Sequence, residues 1–307
     1  MEPFYTTTAA RPDLAALEVN PPEGYIGGNL IPDIPVDQKS GKAFYATLAS
    51  DGEAQTGRTA GVAPGKTQIA NSSLTYATTE AIERGAITPD EVKTMGGIEK
   101  ADMVGARFAK RSVMKKIEAT KAALVLNAAG DADKTFDPAK VLTDVQVALQ
   151  SVRRYYGKTT LVGSTFTIKA IVQALLGDGV QGKVLSRIVQ GTTPAGATEG
   201  LHFAAWMNAL AMYFGVDQVL PGDDDVWNTG ALVGRFAIGK FDPGEDEMSH
   251  KWLPIFAKNF VFMPDGENPW YIESIANRDT KNNFYDASIW CDPKVFNAGA
   301  KYVFGGV

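Results

Sequence analysis

The chain has 307 residues, 45% hydrophobic and 21% charged, so it is long enough to bury a substantial core and is not globally disordered. Its 30 Lys and Arg are outnumbered by 35 Asp and Glu, giving a net charge of −5, which argues against a protein built around a tight grip on nucleic-acid phosphates but leaves open proximity without tight binding. One cysteine, Cys291, and two histidines exclude an intrachain disulfide and a Cys/His zinc cluster.

The opening MEPFYTTTAARPDL lacks a basic segment followed by an apolar run, so no secretory signal is expected. Residues 1–38 hold prolines at 3, 12, 21, 22, 32 and 35 and few periodic apolar positions, the signature of an extended arm. Gly41 to Leu48 and Ile69 to Ile82 read as strands around a Gly/Thr-rich stretch, a long hairpin with a flexible tip and little apolar surface of its own. Thr88-Pro89-Asp90-Glu91 combines a cap, proline at the first helical position and an acid three residues after the cap; Gly96 and Gly97 interrupt. From Ile98 to Asn127, with Ala101, Val104, Phe108, Ile117 and Leu124 as its apolar positions, the spacing predicts a helix of about 30 residues, roughly 45 Å long. Its outer face is expected to carry Lys100, Arg107, Lys110, Arg111, Lys115, Lys116 and Lys121; with Lys93 they are eight cations.

Helix and strand then alternate. Helices are expected over Pro138 to Tyr156, Thr165 to Leu176 and Leu201 to Phe214, with strands at Thr159 to Val162 and Val184 to Val189 and a glycine-rich loop at Gly191 to Gly200. Late strands follow at Ala231 to Ile238, Phe260 to Phe262, Trp270 to Ile275 and Ser288 to Cys291, an α+β organisation without an internal repeat. The most apolar stretch, Leu201 to Leu220, is broken by His202, Asn208 and Asp217, so a soluble chain is expected, and the single cysteine fits synthesis in a reducing cytoplasm.

Local motifs fail on specific positions. GVAPGKT at Gly61 to Thr67 imitates a phosphate loop, but only Val62, Ala63 and Pro64 separate its glycines where four residues are needed, and a strand-like segment follows where a helix should. DADKTFD, Asp131 to Asp137, imitates a calcium loop but has Phe136 and Leu142 at the sixth and twelfth positions, which require Gly and an acid. Asp223, Asp224 and Asp225 read as a polar loop in preference to a cation site at a subunit contact. No serine lies in a nucleophile elbow, Cys291 has no local base, and His202 and His250 are explained as structural residues. The cationic helix stripe is either a solvated face or one that meets acidic partners, neighbouring subunits or packaged DNA. No catalytic, cofactor-binding or metal-ligating residue is assigned, and no cofactor is expected.

The order of elements resembles the major capsid proteins of tailed bacteriophages with the Hong Kong 97-like fold. RTAGVAPGKTQIANSSLTYAT is similar to the far part of their extended loop, IEKADMVGARFAKRSVMKKIEATKAALVL to their spine helix, and FGVDQVLPGDDD with ALVGRFAIGKF to the lead into the final strands. PWYIESIANRDTKNNFYDASIWCDPKVFNAGAKYVFGGV is similar to their closing section. The resemblance implies an N-terminal arm over 1–38, an extended β-hairpin over 39–85, a peripheral domain with the spine helix over 86–136, a compact axial domain over 137–230, and late strands over 231–307 returning to both domains. It implies homo-pentamers and homo-hexamers forming an icosahedral virion shell around double-stranded DNA, assembled in the host cytoplasm with scaffolding, portal and decoration proteins as partners, with no membrane and no catalysis. The competing readings are an encapsulin-type nanocompartment shell protein and, from another class, a hydrolase with a spatially assembled acid pair.

Overall fold

The computed structural model describes residues 7–46, 71–178, 181–192, 199–241, 254–263, 268–276 and 282–307. The N-terminal segment forms β1 (Thr7–Ala10), α1 (Pro12–Ala15), α2 (Gly27–Leu30) and β2 (Asp33–Val36). The hairpin is β3 (Ser40–Ala46) with β4 (Asn71–Ala77), and β5 (Thr79–Ile87), α3 (Pro89–Met95) and α4 (Ile98–Val125) follow. The middle runs β6 (Lys134–Thr135), α5 (Val141–Val152), β7 (Lys158–Ser164), α6 (Thr165–Gly177), α7 (Gln181–Thr192), α8 (Glu199–Phe214), β8 (Gln218–Gly222) and α9 (Asp224–Trp227). Last come β9 (Phe236–Phe241), β10 (Ala257–Phe262), β11 (Tyr271–Ala276), β12 (Asn283–Val295) and β13 (Lys301–Gly305).

Two sheets organise these elements. The first is built on β12, the longest strand, whose one edge carries β5 from Asn283 to Cys291. Its other edge carries β11 and then β10, with β1 outside β11 and β2 parallel to β10. Pro293, which cannot donate to a ladder, falls after β5 has ended. The second sheet has the order β6-β13-β9-β7-β8. Val141, Val145 and Ala148 of α5, Ile168, Ile171 and Leu175 of α6, and Leu210 and Phe214 of α8 close its core over Leu161, Phe236 and Phe304.

The strongest start signal is realised in full: the Glu91 carboxylate accepts from the Thr88 N–H at 2.7 Å, the Thr88 side chain accepts from the Glu91 N–H, and Gly96 ends α3 with φ of 80°. α4 lies across β5 and β12 where two backbones almost touch, because a Cβ added to Gly85 would stand 2.5 Å from the Gly105 carbonyl. Only small groups fit at that crossing. Ala101, Ala106, Ala109 and Val113 therefore form the buried face, and the expected apolar positions Ile98 and Phe108 are 50% and 59% exposed.

Several expected elements are corrected by packing. Residues 7–36 are sewn onto the first sheet through β1 and β2, and Leu14, Leu30 and Ile31 are buried. Val184 to Val189 belongs to a helix, α7, because Leu185 and Val189 recur four apart and bury on one face. In Ala231 to Ile238, Gly230–Leu232 is a 3-10 turn, Gly230 and Gly234 adopt φ of 55° and 65°, and the strand begins at Phe236. The strand expected over Ile69 to Ile82 divides at Thr78, whose N–H and hydroxyl both donate to the Lys39 carbonyl. β4 thus serves the hairpin and β5 the first sheet. The hairpin base also has more apolar surface than expected: Tyr45 stacks on Phe296 at 5.0 Å and Tyr76 on Phe260 at 4.5 Å.

Candidate assembly surfaces

α4 ties the N-terminal segment, the first sheet and α9 together, and polar groups buried along it do the fixing. Asp102 accepts from Arg11 at 2.9 Å and from the Tyr285 hydroxyl, tying the N-terminal segment and β12 to the first turns. Lys110, 1% exposed, donates to the carbonyls of Ala15 and Leu17, each at 2.7 Å, beneath the Trp270 ring. Burial pushes the Lys110 ammonium down to about 8. Glu118 accepts from the Gly27 N–H at 2.8 Å and the indole N–H of Trp227 at 2.9 Å; burial raises its carboxyl and these bonds oppose the rise.

Lys121, 4% exposed, pairs with Asp33 at 2.8 Å, and Asp33 also accepts from Asn259. At the helix end Arg235 donates to the carbonyls of Leu126, Asn127 and Gly130, and Lys301 to those of Leu124 and Val125. These bonds satisfy carbonyls that a helix leaves without partners and put cations at the negative end of its dipole.

The basic stripe expected on one outer face is therefore divided. Lys110 and Lys121 turn inward, since their carbonyl and carboxylate partners compensate burial. Lys116 pairs with Glu83 at 3.2 Å and Lys115 lies 4.0 Å from Asp225. Lys100, Arg107 and Arg111 are exposed and form no ion pair among the described residues. The inward lysines were missed because a cation reads as a surface residue; the signal was their position on the same side of the helix as Ala106 and Val113.

The acidic motifs are occupied by backbone. Asp133 accepts from the Val303 N–H at 2.7 Å and Asp137 from the Ala139 N–H at 3.0 Å. Asp223 caps α9, and Asp224 accepts from the Phe166 N–H at 2.7 Å at the start of α6. Cys291 is buried in β12 and burial pushes its thiol up to about 11, which disfavours the reactive thiolate. Among the described residues no group of three His, Cys, Asp or Glu could hold a metal ion, and no helix is long and apolar enough to cross a membrane. Gly61 to Thr67 and His250 lie outside the described residues, as does the side chain of His202, which stands on α8.

Several large apolar side chains are also exposed. Phe44 on the outer side of the hairpin is 62% exposed, Tyr271 and Ile82 on the first sheet 49% and 44%, and Phe166 and Met212 on the second body 59% and 65%. Such groups mark surfaces that meet other macromolecules when they are grouped.

No protein-family model matches the sequence, and no curated protein matches it. Among solved structures the chain is similar to a phage-related protein from Bordetella bronchiseptica, with 15% identity, 97% of each chain covered and a TM-score of 0.64. It is also similar to the capsid of cyanophage P-SCSP1u, with 10% identity, 95% of this chain and 90% of that chain covered and a TM-score of 0.55. For the mature capsid of bacteriophage PhiM1 the values are 10%, 94%, 88% and 0.51. The chain thus has a phage-capsid fold, α+β in class. It is the Hong Kong 97-like fold, with α4 as its spine helix.

Proposed function

We propose that this chain is a major capsid protein of a tailed phage or a close relative, assembling as pentamers and hexamers into an icosahedral shell around double-stranded DNA. The observation that carries the proposal is the likeness to a cyanophage capsid over 95% of the chain. The exposed Phe44 of the hairpin supports a clasp on a neighbouring subunit, with the stacks of Tyr45 on Phe296 and Tyr76 on Phe260 holding the described part of that hairpin in place. Residues 1–38, 39–85, 86–136, 137–230 and 231–307 then serve as arm, extended loop, peripheral domain, axial domain and returning strands. Scaffolding, portal and decoration proteins are its partners, and the virion is its location. The role is structural, supported by acids engaged in capping and a thiol whose burial opposes ionisation.

Electron microscopy and sedimentation of the purified protein, with and without the other head proteins, test this. Rings or closed shells are expected, with DNA inside particles recovered from infected cells. A strictly monomeric species under all these conditions overturns it, and shells filled with an enzyme assign a nanocompartment instead.

A further inference from the structure

β5 lies at the rim of the first sheet: β12 takes one of its edges, and no described strand takes the other. In an antiparallel ladder alternate residues turn N–H and C=O to opposite sides, so about half of its nine residues present unpaired backbone groups outward. Natural edges of this length are usually blunted by proline, a bulge, a covering element or charged side chains, and the charges on β5 are of both signs. β5 has no proline and pairs residue for residue with β12. Glu80, Ile82 and Arg84 are exposed on its face away from α4.

We infer that this edge is an interface between two copies of the chain, joined as an antiparallel β5–β5 pair about a two-fold axis through Ile82. Opposed residues in a sheet must point to the same face, so the axis passes through a residue and not between two. With the axis at Ile82, Glu80 of each copy faces Arg84 of the other and Ile82 meets Ile82. An axis at Glu80 or Arg84 would oppose like charges, and one at Ala81 or Glu83 would set a charge against Ile82. Self-complementarity of this kind is what an isologous contact requires.

The helix above agrees with that geometry. α4 covers both β5 and β12, so a two-fold beside β5 brings the two α4 helices about two strand spacings apart, roughly 10 Å, which is a helix-packing distance. The flank of α4 that would face its copy is the one opposite Ala106, Lys110 and Val113, and it carries Phe108, 59% exposed, with Ser112, Arg111 and Lys115, the last 4.0 Å from Asp225. One sheet would run through both copies with two helices packed on one side. The inference deepens the shell reading, and only the placement of this contact between capsomers rests on it.

Cysteine cross-linking tests the register. In Ile82→Cys the two thiols face each other across a Cα separation of about 4.5–5.5 Å, within the range a disulfide spans. Mild oxidation should give a covalent dimer from soluble or assembled protein, whereas the wild type, with only the buried Cys291, should not. Glu80→Cys alone should stay monomeric, and its mixture with Arg84→Cys should dimerise. Adding Glu80→Arg to Ile82→Cys should lower dimer yield about tenfold by opposing like charges twice. Equal yields from Ile82→Cys and Glu80→Cys, or no dimer from the mixture, overturn the inference. Shells whose Ile82→Cys subunits fail to cross-link overturn it and leave the shell reading standing; cross-linking without shells does the reverse.

Discussion

Replacing Glu118 with alanine should be among the most damaging single changes to this fold. Its carboxylate, 5% exposed, is the acceptor for two buried donors from different elements, the Gly27 N–H of α2 and the Trp227 indole of α9. Truncation leaves both donors without a partner at about 1–3 kcal/mol each and opens a small cavity, while removing the desolvation cost of the carboxylate. The balance is a loss of about 3–5 kcal/mol. Glu118→Gln keeps one oxygen for the two donors and should cost about 1–2 kcal/mol. Urea unfolding of the unassembled protein, followed by tryptophan fluorescence and far-ultraviolet circular dichroism, measures both; the alanine midpoint should fall by about 1–2 M. An alanine variant within about 0.3 M of wild type, or one more stable than the glutamine variant, would refute the reasoning.

Gly105→Ala should lower Tm by about 2–6 °C, because its Cβ would lie 2.3 Å from the Tyr285 ring and lift α4 off β12; Gly28→Ala, whose Cβ meets nothing within 4 Å, is the control. Lys110 is pushed down to about 8 from 10.5, so the native state holds this proton less tightly than the unfolded chain. Its charge burial therefore costs stability below about pH 8, and the cost is relieved as pH rises toward 10.5. The stability of wild type relative to Lys110→Met should accordingly grow between pH 8 and 10, and parallel urea midpoints across that range would contradict it. Tyr285→Phe and Arg11→Ala should be non-additive, since both remove a donor to Asp102; a double-mutant cycle giving no coupling would count against a shared site.

Sequence patterns reached the elements whose signals are local. The Thr88 capping box and the helix from Ile98 are specified by residues within a few positions of one another, and the β3 and β4 strands by their own local strand patterns. Long-range packing decided the rest. Val184, Leu185, Ile188 and Val189 satisfy a short strand or a helix face equally, and only the core around Leu210 and Phe214 selects the helix. Residues 7–36 look unstructured because their buried Leu14, Leu30 and Ile31 lack a period; they are placed by partners in β10, β11 and α4. The hub residues Asp102, Lys110, Glu118 and Lys121 were illegible for the same reason, because the groups that compensate their burial lie some 90 positions away for the N-terminal ties and 109 and 183 positions away for Trp227 and Tyr285.

The cation-capped end of α4 sets a clock on synthesis. The carbonyl of Val125 waits for Lys301, 176 residues later, and that of Asn127 for Arg235, 108 residues later. At roughly 5–20 residues per second a ribosome needs about 5–22 s to deliver Arg235 and about 9–35 s to deliver Lys301. Until β12 is made, shortly before Lys301, the spine helix lacks the strand it lies on and the small-residue face that packs there is uncovered. The last strands to emerge thus close the first long helix made.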